Sequence, residues 1–157
     1  MDQAAPVRFN NDPDPDHPGW NRWELHDDRR FNGQVMGDLR VRQEGGNRCR
    51  LRMFTGRKHS NLSDNIHGAI TLSLMDIALF AAFRSLAGGD GGGAVTLELS
   101  SQFIGAGKPG LPLDALVEIM RETGRLVFLR GTVVQGEADE NLIASFSGIV
   151  RKPSPQR

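Results

Sequence analysis

Cysteine is nearly missing from this chain: Cys49 is the only one among 157 residues. One thiol excludes an internal disulfide and a multi-cysteine zinc site, and it fits a reducing cytoplasm. Charge of one sign is missing too. Lys and Arg number 19, Asp and Glu number 19, and the sequence pI is about 6.9. That balance gives no electrostatic footing for nucleic acid or an anionic membrane. No apolar run reaches the roughly 20 residues of a membrane span. The first nineteen residues, MDQAAPVRFNNDPDPDHPG, have no apolar core of the kind a signal peptide carries. His17, His26 and His59 show no metal-ligand spacing, so neither a metal nor a cofactor is expected. The glycines of 87–93 lack the Lys-Ser/Thr of a phosphate-binding loop and read as a flexible connection. The expectation is a cytoplasmic, soluble protein with one domain large enough for a real core.

What the chain does have is NLSDNIHGAITLSLMDIALFAAFRSL, residues 61–86. From Ile70 to Phe83 it is apolar on every side, which predicts a buried helix. Two residues in it are out of place for stability alone. Gly68 in the first turn costs roughly 1 kcal/mol against alanine. Asp76 stands among Leu72, Ile77, Leu79 and Phe80, although buried carboxylates are rare unless paired.

Around this helix the chain reads as follows. Residues 1–19, rich in Pro, Asp and Asn, are expected to be disordered, with the folded domain over 20–157. Trp20–Phe31 reads as a short helix ended by Gly33, its tryptophans docking on something apolar. Alternation over 35–41 and 49–53 with Glu-Gly-Gly-Asn between predicts a hairpin. After the helix, alternating runs beginning at Val95 and Leu113, a run from Leu126 that is apolar on both faces in part, and a fourth from Leu142 predict four antiparallel strands. The fold class is α+β, an antiparallel sheet of about five to six strands wrapped around one long helix.

The chemistry of the helix entry can be stated from residues alone. Free N–H groups and the positive dipole end at a helix amino terminus polarise a carbonyl, and Gly68 lets one approach without a side chain in the way. Gly68 and Asp76 are eight residues apart, about 12 Å along one helix. Reacting groups must meet at about 3 Å, so if both serve one substrate they come from different subunits.

Asn61, His67-Gly68 and Asp76 together resemble the N-x-x-G-x-x-H-G-G-(x)6-D pattern of hot-dog-fold acyl-CoA thioesterases, in their PaaI-like (phenylacetyl-CoA thioesterase) branch. The resemblance covers about residues 33–151. It departs from the pattern at Asp64 and Ala69, each standing where the family has Gly; Asp tolerates a left-handed backbone better than most residues. The resemblance implies hydrolysis of an aryl or medium-chain acyl-CoA by a homodimer or homotetramer. Asp76 is then nucleophile or general base, and the Gly68 amide polarises the carbonyl. Asn61 orients water or substrate, and Thr96, at the start of the strand after the helix, hydrogen-bonds near Asp76. His67 shapes the turn, because its helix dipole disfavours an imidazolium. The other readings are an acyl-CoA-binding module without turnover and, last, a hydratase or dehydratase.

Overall fold

A computed structural model describes residues 9–89 and 92–154. Their elements run β1 (Phe9–Asn10), β2 (Asn21–Leu25), β3 (Leu39–Gly45), β4 (Arg48–Phe54), α1 (Gly68–Ala87), β5 (Val95–Phe103), β6 (Pro112–Glu122), β7 (Leu126–Gln135) and β8 (Asn141–Arg151). The strands form one antiparallel sheet in the order β1-β2-β3-β4-β6-β7-β8-β5. It has eight strands where five to six were expected, and both additional strands, β1 and β2, lie amino-terminal to the hairpin.

The hairpin β3–β4 turns at Gly45 and Gly46, whose φ values of 89° and 58° suit glycine. Leu39, Val41, Cys49, Leu51 and Met53 point inward and are 3% exposed or less. They meet one face of α1, where Leu74, Met75, Ala78, Leu79, Ala81 and Ala82 are fully buried. Each large side chain buried this way is worth about 1.5–3 kcal/mol. Gly148 in β8 shows how closely sheet and helix pack: a Cβ there would lie 2.5 Å from Leu79 Cδ1. Burial pushes the Cys49 thiol up to about 12, with Glu44 adding to the effect, so this thiol is inert at neutral pH.

Three expectations are corrected. Trp20–Phe31 is not a helix. Asn21–Leu25 pairs with β3, Trp23 opposite Leu39 and Asn21 opposite Val41. The spacing of the two tryptophans mimics a helical face, but they serve opposite sides of the sheet. Trp23 belongs to the core. Trp20 lies on the outer face between the Arg42 and Arg52 guanidinium groups, 4.4 and 4.6 Å from its ring. A π-helical turn, Asn32–Met36, follows instead.

The expected disorder over 1–19 does not hold from Phe9 onward; residues 1–8 lie outside the described residues. Phe9–Asn10 pairs with β2, and Asp14 is buried against Arg40, with His17 Nδ1 at 2.8 Å. Burial alone would raise the Asp14 carboxyl, yet the hydrogen bonds from His17 and Arg40 hold it well below the usual carboxylate range. Proline and aspartate in this segment mark tight turns of an ordered belt.

Finally, α1 is not buried on every side. Leu72 is 40% exposed, and Ser73, Asp76 and Phe80 on the same stripe are half-buried. This stripe borders β5, a sheet edge, where Val95, Leu97 and Phe103 are exposed as well. Among the described residues α1 is the one helix long and apolar enough to cross a membrane, and its other face is the core of the sheet.

Candidate functional site

The loop between β4 and α1 builds the helix entry. Asp64 takes φ 55°, the left-handed conformation that Asp accepts. Asn61 Oδ1 accepts from the N–H groups of Ser63 and Asn65, at 2.9 and 3.1 Å, and so closes the loop. No hydrogen bond engages its Nδ2 among the described residues. The loop is fastened from outside by Ile66 N–H to Gly107 O, 2.8 Å, and by Lys108 Nζ to Asn65 Oδ1, 2.9 Å. Beside it opens a cleft of about 490 Å³ lined by Ser60, Asn61, Leu62, Ser63 and His67.

His67 is the N-cap of α1. Its Nδ1 accepts the Ala69 N–H at 3.0 Å. Its carbonyl accepts Ile70 N–H at 2.9 Å and Thr71 N–H at 3.2 Å. A helix begins with four N–H groups lacking intrahelical partners, here those of His67, Gly68, Ala69 and Ile70. The first goes to the His59 carbonyl at 2.8 Å, and His67 accepts those of Ala69 and Ile70. That leaves Gly68 N–H, which has no partner among the described residues. That amide points out of a positive helix end, ready for an oxygen acceptor.

The glycine itself is not required by the fold. A Cβ on Gly68 would meet the Phe103 ring at 3.5 Å, an ordinary contact. At Gly148 the same atom would collide with Leu79, so the glycine there has a packing reason. Gly68 has none within its own chain.

Two turns further along α1, Asp76 is half-buried and accepts a 2.7 Å hydrogen bond from Thr96 Oγ1 of β5. Among the described residues no cation pairs with it. A carboxylate held by one hydroxyl, with its second oxygen free, is able to take a proton or to attack an electrophile. The structure thus brings Asp76 and Thr96 together, and gathers Asn61, His67 and Gly68 at the helix entry. It keeps the two groups apart within one chain, about two helical turns from each other along α1.

Two residues of this region were not anticipated. Phe103, 57% exposed at the end of β5, lies over Gly68; its place in a strand hides its position against the helix start. His59, only 3% exposed, braces the loop from behind. Both are invisible to spacing arguments, since a strand and a turn supply them. Among the described residues, no three His, Cys, Asp or Glu side chains converge as metal ligands.

A family model described as the thioesterase superfamily matches residues 64–141, which contain α1, β5, β6 and β7. No curated protein matches the sequence. Solved structures do. Zebra fish thioesterase superfamily member 2 aligns over 80% of this chain and 88% of its own, at 20% identity and TM-score 0.67. The E. coli PaaI protein from the phenylacetic acid degradation operon aligns over 80% and 86%, at 17% identity and TM-score 0.65. A conserved protein from Pseudomonas aeruginosa aligns over 78% and 94%, at 22% identity and TM-score 0.65. At these identities the likeness is one of fold. With residues 64–141 matched by the thioesterase superfamily model and a sheet wrapped around one long helix, the chain has the hot-dog fold of that superfamily.

Proposed function

We propose that this protein hydrolyses an acyl-CoA thioester, of aryl or medium-chain type, to the free acid and CoA. The observation that carries the reading is the free Gly68 N–H, the one first-turn amide of α1 that His67 leaves unsatisfied. It polarises the thioester carbonyl and holds the oxyanion as it forms. Asp76, aligned by Thr96, acts in one of two ways. As general base it takes a proton from the attacking water; as nucleophile it forms an anhydride that water then opens. In either case the carbon–sulfur bond breaks and CoA leaves as a thiolate that is then protonated. Asn61 Nδ2 is free to orient water or the carbonyl. CoA enters as part of the substrate, and no metal or other cofactor takes part.

Gly68 and Asp76, about 12 Å apart on one helix, serve the same thioester only across a subunit boundary, so the active species is a homodimer or a tetramer of such dimers. The open edge of β5 supports this. Phe103 marks the Gly68 end of the strand and Thr96 the Asp76 end. Antiparallel pairing of β5 with a second copy, centred near Leu99 and Ser100, sets Thr96 of one subunit beside Phe103 of the other. It also covers the apolar residues exposed along β5 and α1. A cytoplasmic location fits the lone buried thiol.

The test is thiol release from a panel of acyl-CoAs, with light scattering on the same sample. Turnover by a dimer or tetramer is the expected result. Tight acyl-CoA binding without turnover would instead favour a binding module, and a fully active monomer would remove the subunit-sharing argument.

A further inference from the structure

His59 makes more contacts than a turn residue needs. It ends a single 3-10 turn, Arg57–His59, just before the site loop, and it is 3% exposed. Both ring nitrogens are engaged. Nδ1 accepts the Gly56 N–H at 2.9 Å, and Nε2 lies 2.7 Å from the Val35 carbonyl, so Nε2 carries the proton. The ring is therefore neutral, with one tautomer imposed by its neighbours, and no lone pair is left for catalysis. What the ring does is tie its own turn to the π-helical turn Asn32–Met36, 24 residues earlier in sequence.

The main chain carries that tie to the site. The His59 carbonyl accepts the His67 N–H at 2.8 Å. His67 in turn takes up the N–H groups of Ala69, Ile70 and Thr71. The direction of the Gly68 N–H is set by the peptide that joins it to His67, so a displaced His59 carbonyl re-aims that amide. We propose that His59 is a positioning residue for the hydrolysis: its buried imidazole holds the helix entry so that the Gly68 amide alone is presented to the substrate carbonyl. The assignment rests on the thioesterase reading, and an amide readout separates the two.

Three variants test it: His59→Leu, which fills the space with neither bond; His59→Asn, which keeps an acceptor near Gly56 but falls short of Val35; and His59→Gln, long enough to donate to Val35. Misplacing a reacting group by about 1 Å costs on the order of 10²-fold in rate. The expected result is therefore a kcat loss of tenfold or more in the Leu and Asn variants. KM should stay within about threefold, and the Gln variant should regain most of the rate. Native-state amide exchange gives the readout that needs no activity. His67 and Ala69 amides, bonded to the His59 carbonyl and to His67 Nδ1, should exchange about tenfold faster in His59→Asn, with Leu74–Leu79 unchanged. Should His59→Leu fail to fold, the Asn and Gln pair carries the comparison. Wild-type kcat and unchanged His67 and Ala69 exchange in His59→Asn would overturn the proposal. So would losses that follow the melting temperature, spread over the whole helix and escape rescue by Gln. A wild-type protein that hydrolyses no thioester, with the exchange pattern as expected, would overturn the activity and leave the positioning intact.

Discussion

Alanine at position 68 separates what the fold needs from what the chemistry needs. In the folded chain the added methyl meets only the Phe103 ring, at 3.5 to 4.0 Å, so no packing is lost. Alanine is favoured over glycine in a helix by up to about 1 kcal/mol, and 1 kcal/mol shifts the melting temperature of a domain this size by about 2–4 °C. Gly68→Ala should therefore melt at the wild-type temperature or slightly above it. Its effect on turnover has the opposite sign. The methyl stands beside the free N–H, in the space a carbonyl oxygen must enter, and weakening one oxyanion donor costs about 10²–10³ in kcat, or 2.7–4 kcal/mol. The assay is thiol release at saturating acyl-CoA, with a thermal melt of the same preparation. A more stable protein that turns over roughly a hundredfold more slowly is the expected outcome. A Gly68→Ala enzyme with wild-type kcat would show that this amide does not hold the oxyanion, and one that fails to fold would contradict the contact distances themselves.

Asp76→Asn keeps an acceptor for Thr96 Oγ1, so the variant should fold, associate and bind acyl-CoA while losing on the order of 10²-fold or more in turnover; normal kcat on a stopped thiol assay would end the proposed chemistry. Activity should persist through dialysis against EDTA, and a loss restored by zinc or magnesium would contradict the metal-free reading. Because the folded Asp14 carboxyl is held below its unfolded value of about 3.9, its stabilisation is complete above that pH and is lost as the pH falls toward the folded value. Melting temperature should accordingly drop below about pH 4. Asp14→Asn should flatten that acid slope and lower the plateau at neutral pH, and an unchanged profile would refute the role given to the Asp14–Arg40 pair.

The parts legible in the sequence were those governed by local rules. Alternation located β4, β5 and β6, apolar runs between turn residues located β7 and β8, and a glycine pair located the β3–β4 turn. Gly68 and Asp76 stood out because each breaks the pattern of its helix. The amino-terminal belt was misread because its logic is tertiary. Trp20 and Trp23 look like one helical face until Arg42 and Arg52 appear on one side of the sheet and the core on the other. Asp14 looks like part of a solvated acidic tail until Arg40 arrives from β3. Likewise the all-apolar helix hid its exposed stripe, because an apolar residue on an open face has the same composition as one that meets a core. His59 carried no signal at all, since its partner Val35 is fixed only by the fold.

The placing of the two tryptophans has a practical consequence. With no tyrosine in the chain, ultraviolet emission comes essentially from Trp20 and Trp23, and both belong to the belt that opens the sheet, far in sequence from α1. One indole is clasped by guanidinium groups on the outer surface, and the other stands edge-on to Phe9, 4.5 Å between ring centres. Fluorescence therefore watches the belt, whereas circular dichroism at helical wavelengths watches the long helix. If the two signals change together on heating, the belt is an integral part of the cooperative unit. If the emission shifts first, the belt is a separately melting flap, and the protein carries its own optical label for that event.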